Sequence, residues 1–420
     1  MLFHFSLYGF LKNQRFFEPF LYLVFLDKGL SFLEIGLLVG IRELGLNLME
    51  IPSGILADRM SRRRVLQVAF LLFAISFWML GSGEGFGIFA LGMLAFGVAD
   101  AMRSGSHKAL IMGWLRARGR SDERTRFYGF TRSWSKIGSA LSVLIGCFLV
   151  LRFESYQLTF GCSIPPCLLG ALNLCFYGKE LEAKQAPGKG GKSVFGFLSL
   201  FRGGWHTRGP VLEAALFEGT FLTIKDYLQP LVQSTAILVL TGLLALPVSD
   251  ERATVILVAP VYVTLFLGGA LLSRFSHRIA NFYDSPRAAS RALWAIIFWI
   301  HFFLFIALKV HPIFAIGLFM LLHMLQNVWK PIIVGRLTAV TPEAQTSTVL
   351  SLASQAKRMV VFLFAPILGW ILDSATGAGH VFQSQGLTPL AVFGMISCVP
   401  ALMVYGWDSS RKDSSRSDAP

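Results

Sequence analysis

Acidic residues are scarce in this chain of 420: 24 Asp and Glu stand against 38 Lys and Arg, a formal charge of +14. Charged residues of both signs make up only 15%, hydrophobic residues make up 54%, and the mean hydropathy is +0.60. A fold in water cannot hide that much apolar surface, so the composition excludes a water-soluble globular domain and predicts an integral membrane protein. Cysteine is also sparse. The five (Cys147, Cys162, Cys167, Cys175 and Cys398) form no CxxC and no paired loop positions, which excludes a disulfide framework and a cysteine metal cluster and leaves packing as their expected role. No metal-ligand spacing and no Ser/His/Asp set stands clear of the apolar runs, so an enzyme is not expected. A cleavable leader is not expected either. The first apolar stretch lacks a basic segment before it and itself holds Lys12, Arg15 and Glu18, which reads as a retained span. The run Ala186 to Ser193 imitates a phosphate loop, but Ala186 occupies the first glycine position and no strand precedes it. ATP binding is therefore rejected, and no cofactor is implied.

What the chain has instead is a series of apolar stretches matched to a hydrocarbon core of about 30 Å, which needs roughly 20 residues per helix. Twelve spans are expected, at about 3–26, 31–56, 66–83, 86–115, 127–151, 156–178, 209–240, 253–273, 290–308, 311–337, 345–372 and 385–406. The positive charge is distributed by side. Arg59, Arg62, Arg63 and Arg64, then Arg116, Arg118, Arg120, Arg124 and Arg126, then Lys179, Lys184, Lys189, Lys192, Arg202 and Arg208 fall in alternate loops, while the intervening loops hold Lys28, Arg152, Arg252 and Lys309. This follows the positive-inside rule, places both termini in the cytoplasm and argues against nucleic acid as the partner of the charge.

Gly54-Ile-Leu-Ala-Asp58-Arg59-Met-Ser-Arg62-Arg63 closes the second span, and it resembles the loop between helices 2 and 3 of the major facilitator superfamily. Ser61 departs from that pattern, standing where a second glycine is usual. A degraded copy, Gly269-Ala-Leu-Leu-Ser273-Arg274-Phe-Ser276-His-Arg278, follows the eighth span. Phe10-Leu11 with Phe16 and Pro19 likewise matches Phe221-Leu222 with Tyr227 and Pro230. The two offsets, about 215 and 211 residues, agree with one duplication. The resemblance implies an all-α membrane fold of two parallel six-helix repeats, with substrate held near the midplane between them. The domains expected are a first bundle at 1–178, a cytoplasmic linker at 179–208, a second bundle at 209–407 and a tail at 408–420. In the linker, Val194, Phe197, Leu198 and Phe201 fall at helical spacing, as an interfacial amphipathic helix would.

An ionisable side chain at mid-bilayer costs at least about 2.5–3.5 kcal/mol on insertion scales, so each one kept there marks a site or a pair. Arg15 and Glu18 in span 1, Asp100, Arg103 and His107 in span 4, Glu218, Lys225 and Asp226 in span 7, and His323, Asn327 and Lys330 in span 10 are the candidate substrate and coupling residues. Spans 1, 4, 7 and 10 line the cavity in the fold this chain resembles. Arg15 and Asp226 align through the repeat and are expected to gate it together. Span 2 adds Arg42, Glu43, Asn47 and Glu50, an expected interface set. By resemblance, Asp58 latches the halves against span 11, with Arg116 or Arg118 as its base and Gly54, Arg59, Arg62 and Arg63 completing the loop. The run Ser104-Gly-Ser-His-Lys-Ala-Leu110 is similar to one in bacterial drug and metabolite exporters of the superfamily.

The function these features imply is secondary active transport of a small polar organic molecule by alternating access, coupled to protons and directed outward, by a monomer in a bacterial inner membrane. Bases outnumber acids within the spans, which keeps an organic-anion importer as the alternative. A transport-dead sensor or scaffold on the same fold is the reading from another class.

Overall fold

The computed structural model describes residues 1–178, 205–283, 285–339, 341, 346–376 and 384–399; within these, the side chains of 58, 205–208, 270, 273–277, 279–281, 286, 339 and 347 lie outside the description. The expected linker helix, the tail, the Asp58 and Ser273 side chains and the Pro342-Glu343 turn therefore fall outside the described residues. Everything regular that is described is helical, in the order α1 (Leu2–Leu11), α2 (Leu21–Asp27), α3 (Phe32–Arg59), α4 (Arg62–Ser82), α5 (Phe86–Arg103), α6 (Ser106–Ala117), α7 (Arg124–Phe153), α8 (Leu158–Cys175), α9 (Trp205–Ile224), α10 (Leu228–Ala236), α11 (Asp250–Asn281), α12 (Pro286–Val310), α13 (Pro312–Ala339), α14 (Thr346–Thr376) and α15 (Ser384–Val399). Among the described residues, eight helical segments are long and apolar enough to cross a membrane. They coincide with the third to sixth and the eighth to eleventh of the expected spans. The second, α3, is long but carries Glu34, Arg42, Glu43 and Glu50, and the described part of the twelfth is short.

Spans 1 and 7 are not among the eight, and neither is one helix, which corrects the continuous reading of both. The chain leaves the helix after Leu11 and resumes through a 3-10 turn at Glu18–Phe20. A break in lipid is tolerated where other groups take over the freed backbone. Here Asn13 Nδ2 donates to the Ser135 carbonyl at 2.6 Å, Gln14 Nε2 donates to the Gly138 carbonyl at 3.1 Å, and the Phe16 amide donates to Ser163 Oγ at 2.9 Å. Small residues on α7 make the approach close enough. A Cβ on Gly138 would stand 2.7 Å from the Phe10 carbonyl oxygen, and one on Gly146 would collide with that of Phe16. Span 7 breaks at a 3-10 turn over Lys225–Tyr227, and the 211-residue offset sets that turn opposite Gln14 to Phe16. Both copies of the repeat are thus interrupted at the same place. Span 4 is broken too, between Arg103 and Ser106, where Gly105 takes φ +73, a left-handed conformation glycine adopts without strain.

The chain divides into two compact units, residues 1–194 with 240–262, and 195–239 with 263–420. Inside the first, α1 packs on α7, α3 on α5, and α4 on α5 and α8. Inside the second, α9 packs on α14 and α12 on α13, while Gly268 and Gly269 bring α11 against Met324 and Asn327 of α13. Counted by span, the contacts 1·5, 2·4 and 3·4 of the first unit recur as 7·11, 8·10 and 9·10 in the second. Stacked and edge-on rings fill the first unit's core, with Phe17 on Phe160 at 4.3 Å and Phe77 on Phe96 at 5.5 Å. In lipid such packing, rather than exclusion of water, holds helices together.

Candidate functional site

The first unit gathers its charges around Asp100, which is 7% exposed near the end of α5. Arg103 Nη2 donates to Asp100 Oδ1 at 2.8 Å and Arg15 Nη2 donates to the same oxygen at 3.1 Å, while Arg15 Nη1 reaches Glu18 at 3.3 Å. The unwound segment after α1 is what lets Arg15 turn toward α5. Two guanidiniums lie against the Phe96 ring, that of Arg15 at 4.8 Å and that of Arg42 at 4.9 Å, and Arg15 also lies 4.8 Å over Phe73. Ring faces carry partial negative charge and offset part of the desolvation of a buried cation. Arg42 pairs with Glu43 at 3.4 Å. Adjacent helical residues point apart, and the long guanidinium arm folds back far enough to overcome that.

His107 is not stacked in line with Asp100 and Arg103, because the break at Gly105 starts a new helix beneath it. Its Nε2 lies 2.9 Å from Tyr177 Oη and its ring stacks on Tyr8 at 3.6 Å. It positions Tyr8 instead of joining the carboxylate cluster.

In the second unit Glu218 of α9 plays the part Asp100 plays in the first. Lys357 Nζ of α14 donates to Glu218 Oε2 at 2.7 Å, and Lys330 Nζ of α13 stands 3.8 Å from Oε1. Lys225 and Asp226 form a separate pair, with the ammonium 2.6 Å and 2.7 Å from the two carboxylate oxygens. Arg15 and Asp226 thus each hold a salt bridge within their own unit. His323 rests its Nδ1 on the Phe319 carbonyl at 2.9 Å and its ring edge on Phe221 at 5.2 Å. Asn327 sits at 3.5 Å from the His323 carbonyl, in space left by Gly269. Because Lys357 is close and 19% exposed whereas Lys330 is distant and 59% exposed, their removal should differ. Lys357→Ala is expected to cut transport at least tenfold and Lys330→Ala less than threefold, read as initial flux per molecule in proteoliposomes. Equal losses would show that Glu218 does not distinguish its two bases.

The sequence reading missed Arg336. It meets Glu213 in a buried pair across α13 and α9, both 6% exposed, with Ser290 Oγ and Trp294 Nε1 also donating to the Glu213 carboxylate. Arg336 lies at the tail of an apolar helix, where it counts as an ordinary flanking base. Of the latch residues, Gly54 has open space around it, Arg59 and Arg116 are exposed and Arg62 is half-buried. Arg63 Nη1 donates to the Tyr177 carbonyl at 2.8 Å, beyond the end of α8, where a cation complements the helix dipole.

A family model described as Major Facilitator Superfamily matches residues 13–366. The "Probable L-galactonate transporter" of Escherichia coli (strain K12) is 29% identical over 137 residues, 32% of this chain and 29% of that protein. The match therefore spans under a third of the relative's length. Among solved structures, a mutant of the nucleoside transporter NupG superposes with a TM-score of 0.78 at 14% identity, covering 96% of this chain and 99% of that one. A bacterial homologue of the human lysosomal transporter Spinster, in an inward-facing unoccupied conformation, gives 0.70 at 17% identity, over 96% and 95% of the two chains.

Proposed function

Because the chain belongs to the Major Facilitator Superfamily, we propose that this multi-pass membrane protein is a secondary active transporter that moves a small polar organic acid by alternating access, coupled to protons. The observation that carries the reading is the shared carboxylate in each unit: Asp100 between Arg15 and Arg103, and Glu218 between Lys330 and Lys357. Two bases on one carboxylate leave a positive excess that an anionic substrate neutralises. A proton arriving on that carboxylate releases both bases at once. Such a carboxylate supplies the differential interaction with proton and substrate that a two-state carrier needs.

Outward transport is proposed from the likeness of Ser104 to Leu110 to exporters. The second reading, an organic-anion importer, is favoured by the basic excess and by the Escherichia coli relative, whose printed name carries L-galactonate. Reconstituted protein separates these. Counterflow of labelled hexonates is expected, with accumulation on an imposed pH gradient and a sign that fixes the direction. Flux unchanged when the gradient is collapsed removes proton coupling, and counterflow of neutral sugars alone removes the organic acid. The placement in a bacterial inner membrane with both termini inside, as a monomer, belongs to the same proposal.

The latch is proposed on the motif. Asp58→Asn should lower flux about tenfold with an unchanged amount of protein in the membrane, measured by blot against labelled uptake; wild-type flux in that variant removes the latch.

A further inference from the structure

Tyr8 is a buried polar group that the clusters described above leave unused. Its ring is 1% exposed, fixed face to face on His107 and edge-on to Phe70 at 5.5 Å, and its hydroxyl has no hydrogen-bond partner among the described residues. A buried hydroxyl left without a partner is costly, about 1–3 kcal/mol in mutational data, so its position calls for a reason. The charges that bear on it are those of Arg103, Arg15 and Asp100. The same three bear on Lys12, the residue that caps the end of α1, whose ammonium lies 6.0 Å from the Tyr8 ring centre. Arg42, which also lies against Phe96, has its Nε buried with no partner among the described residues.

The cluster is therefore asymmetric in charge and in hydrogen bonding. Arg15, Arg42, Arg103 and Lys12 bring four positive charges against the three carboxylates of Asp100, Glu18 and Glu43. Glu18, at 59% exposed, compensates least. The two unused atoms, Tyr8 Oη and Arg42 Nε, are both donors. Surplus cation and spare donors around one carboxylate fit an anion carrying several acceptor oxygens, since an anion accepts from both kinds of group and charged acceptors make the stronger bonds. A cation is repelled by the surplus base and finds no acceptor at Arg42 Nε, and an apolar ligand satisfies neither donor.

From this we infer an anion subsite contained within the first unit, in which the carboxylate or phosphate of the substrate takes hydrogen bonds from Tyr8 Oη and Arg42 and neutralises the Arg15–Arg103–Lys12 excess, while Asp100 holds the guanidiniums in place. The inference rests on the organic-acid reading and adds to it the unit that grips the acidic end and two residues, Tyr8 and Arg42, that decide affinity for it. His107 packs on Tyr8: the imidazole, itself bonded to Tyr177, holds the phenol ring in place.

Full-length protein in nanodiscs tests this, with inorganic phosphate and gluconate as probes at constant ionic strength and sorbitol as the uncharged counterpart of gluconate. Dissociation constants are read from the ligand-dependent rise in melting temperature. Both anions are expected to bind and sorbitol is not. Tyr8→Phe removes only the unpartnered hydroxyl, so the ligand-free variant should melt at or above the wild-type temperature while its dissociation constant for both anions rises about tenfold. Arg42→Gln should raise it about tenfold or more, and Arg42→Lys, which keeps the charge and loses the fork, should fall between Gln and wild type. Wild-type affinity in both Tyr8→Phe and Arg42→Gln overturns the subsite and leaves organic-acid transport standing if hexonate counterflow persists. No stabilisation of the wild type by either anion overturns the subsite, and loss of hexonate counterflow as well overturns the organic-acid reading with it.

Discussion

Replacing Asp100 by alanine is expected to lower the stability of the first unit by about 3–5 kcal/mol, the range for removing one member of a buried charged pair, and to abolish transport. The carboxylate is 7% exposed and receives Arg15 at 3.1 Å and Arg103 at 2.8 Å, with Arg42 facing the same aromatic ring. Without it, like charges are left together in a place with little water. Repulsion then adds to the lost attraction. Asp100→Asn is the informative companion. It keeps the shape and an accepting oxygen but fixes the group in the uncharged state that a bound proton would produce. If Asp100 carries the coupled proton, Asn should lose accumulation driven by a pH gradient and retain exchange of labelled for unlabelled substrate across the membrane. Thermal unfolding of purified variants and paired uphill and exchange assays make the comparison. An alanine variant as stable as the wild type would show that Arg15 and Arg103 do not depend on Asp100, and an Asn variant that still accumulates substrate would move the proton elsewhere.

The fold was legible because its signals are periodic and repeated. Gly54 to Arg63 and its worn copy at Gly269 to Arg278 mark equivalent ends of equivalent helices, and each unit packs its helices in the matching order. Which side chains share a face was less legible. Reading span 4 as one helix placed His107 in line with Asp100, and a single left-handed glycine at 105 undid it. The break in span 1 escaped notice because the residues that sustain it, Gly138, Gly146, Ser135 and Ser163, lie more than 100 positions away. Charges could be found in the sequence but not paired. Arg15 was set against Asp226 by alignment and meets Asp100, 85 positions along the chain, in the structure. Tyr8 gave no signal of its own, since one tyrosine in an apolar helix looks like core. What distinguishes it is that its hydroxyl lacks a partner among the described residues, and a sequence does not show that.

Glu213 and Arg336 should behave oppositely to Asp100, and the contrast separates charges that hold the fold from charges that handle substrate. Ser290, Trp294 and Arg336 all donate to the Glu213 carboxylate, and both members of the pair are 6% exposed. It has neither the surplus base nor the shared geometry of the Asp100 and Glu218 sites. Glu213→Leu alone leaves a buried guanidinium uncompensated, with an expected loss of about 3–5 kcal/mol, whereas a buried pair replaced by apolar residues of like volume is often neutral or stabilising. The double variant Glu213→Leu with Arg336→Met should therefore recover most of that loss. A double-mutant cycle on unfolding should return a coupling energy of about 2 kcal/mol or more, toward the upper end for residues in one network. Flux per folded molecule in the double variant should stay within about twofold of wild type, a change of about 0.4 kcal/mol on a scale where 1.36 kcal/mol is tenfold. If Arg336→Met abolishes flux while leaving the melting temperature unchanged, the pair belongs to the transport cycle, and the division between structural and substrate-handling charges fails at this position.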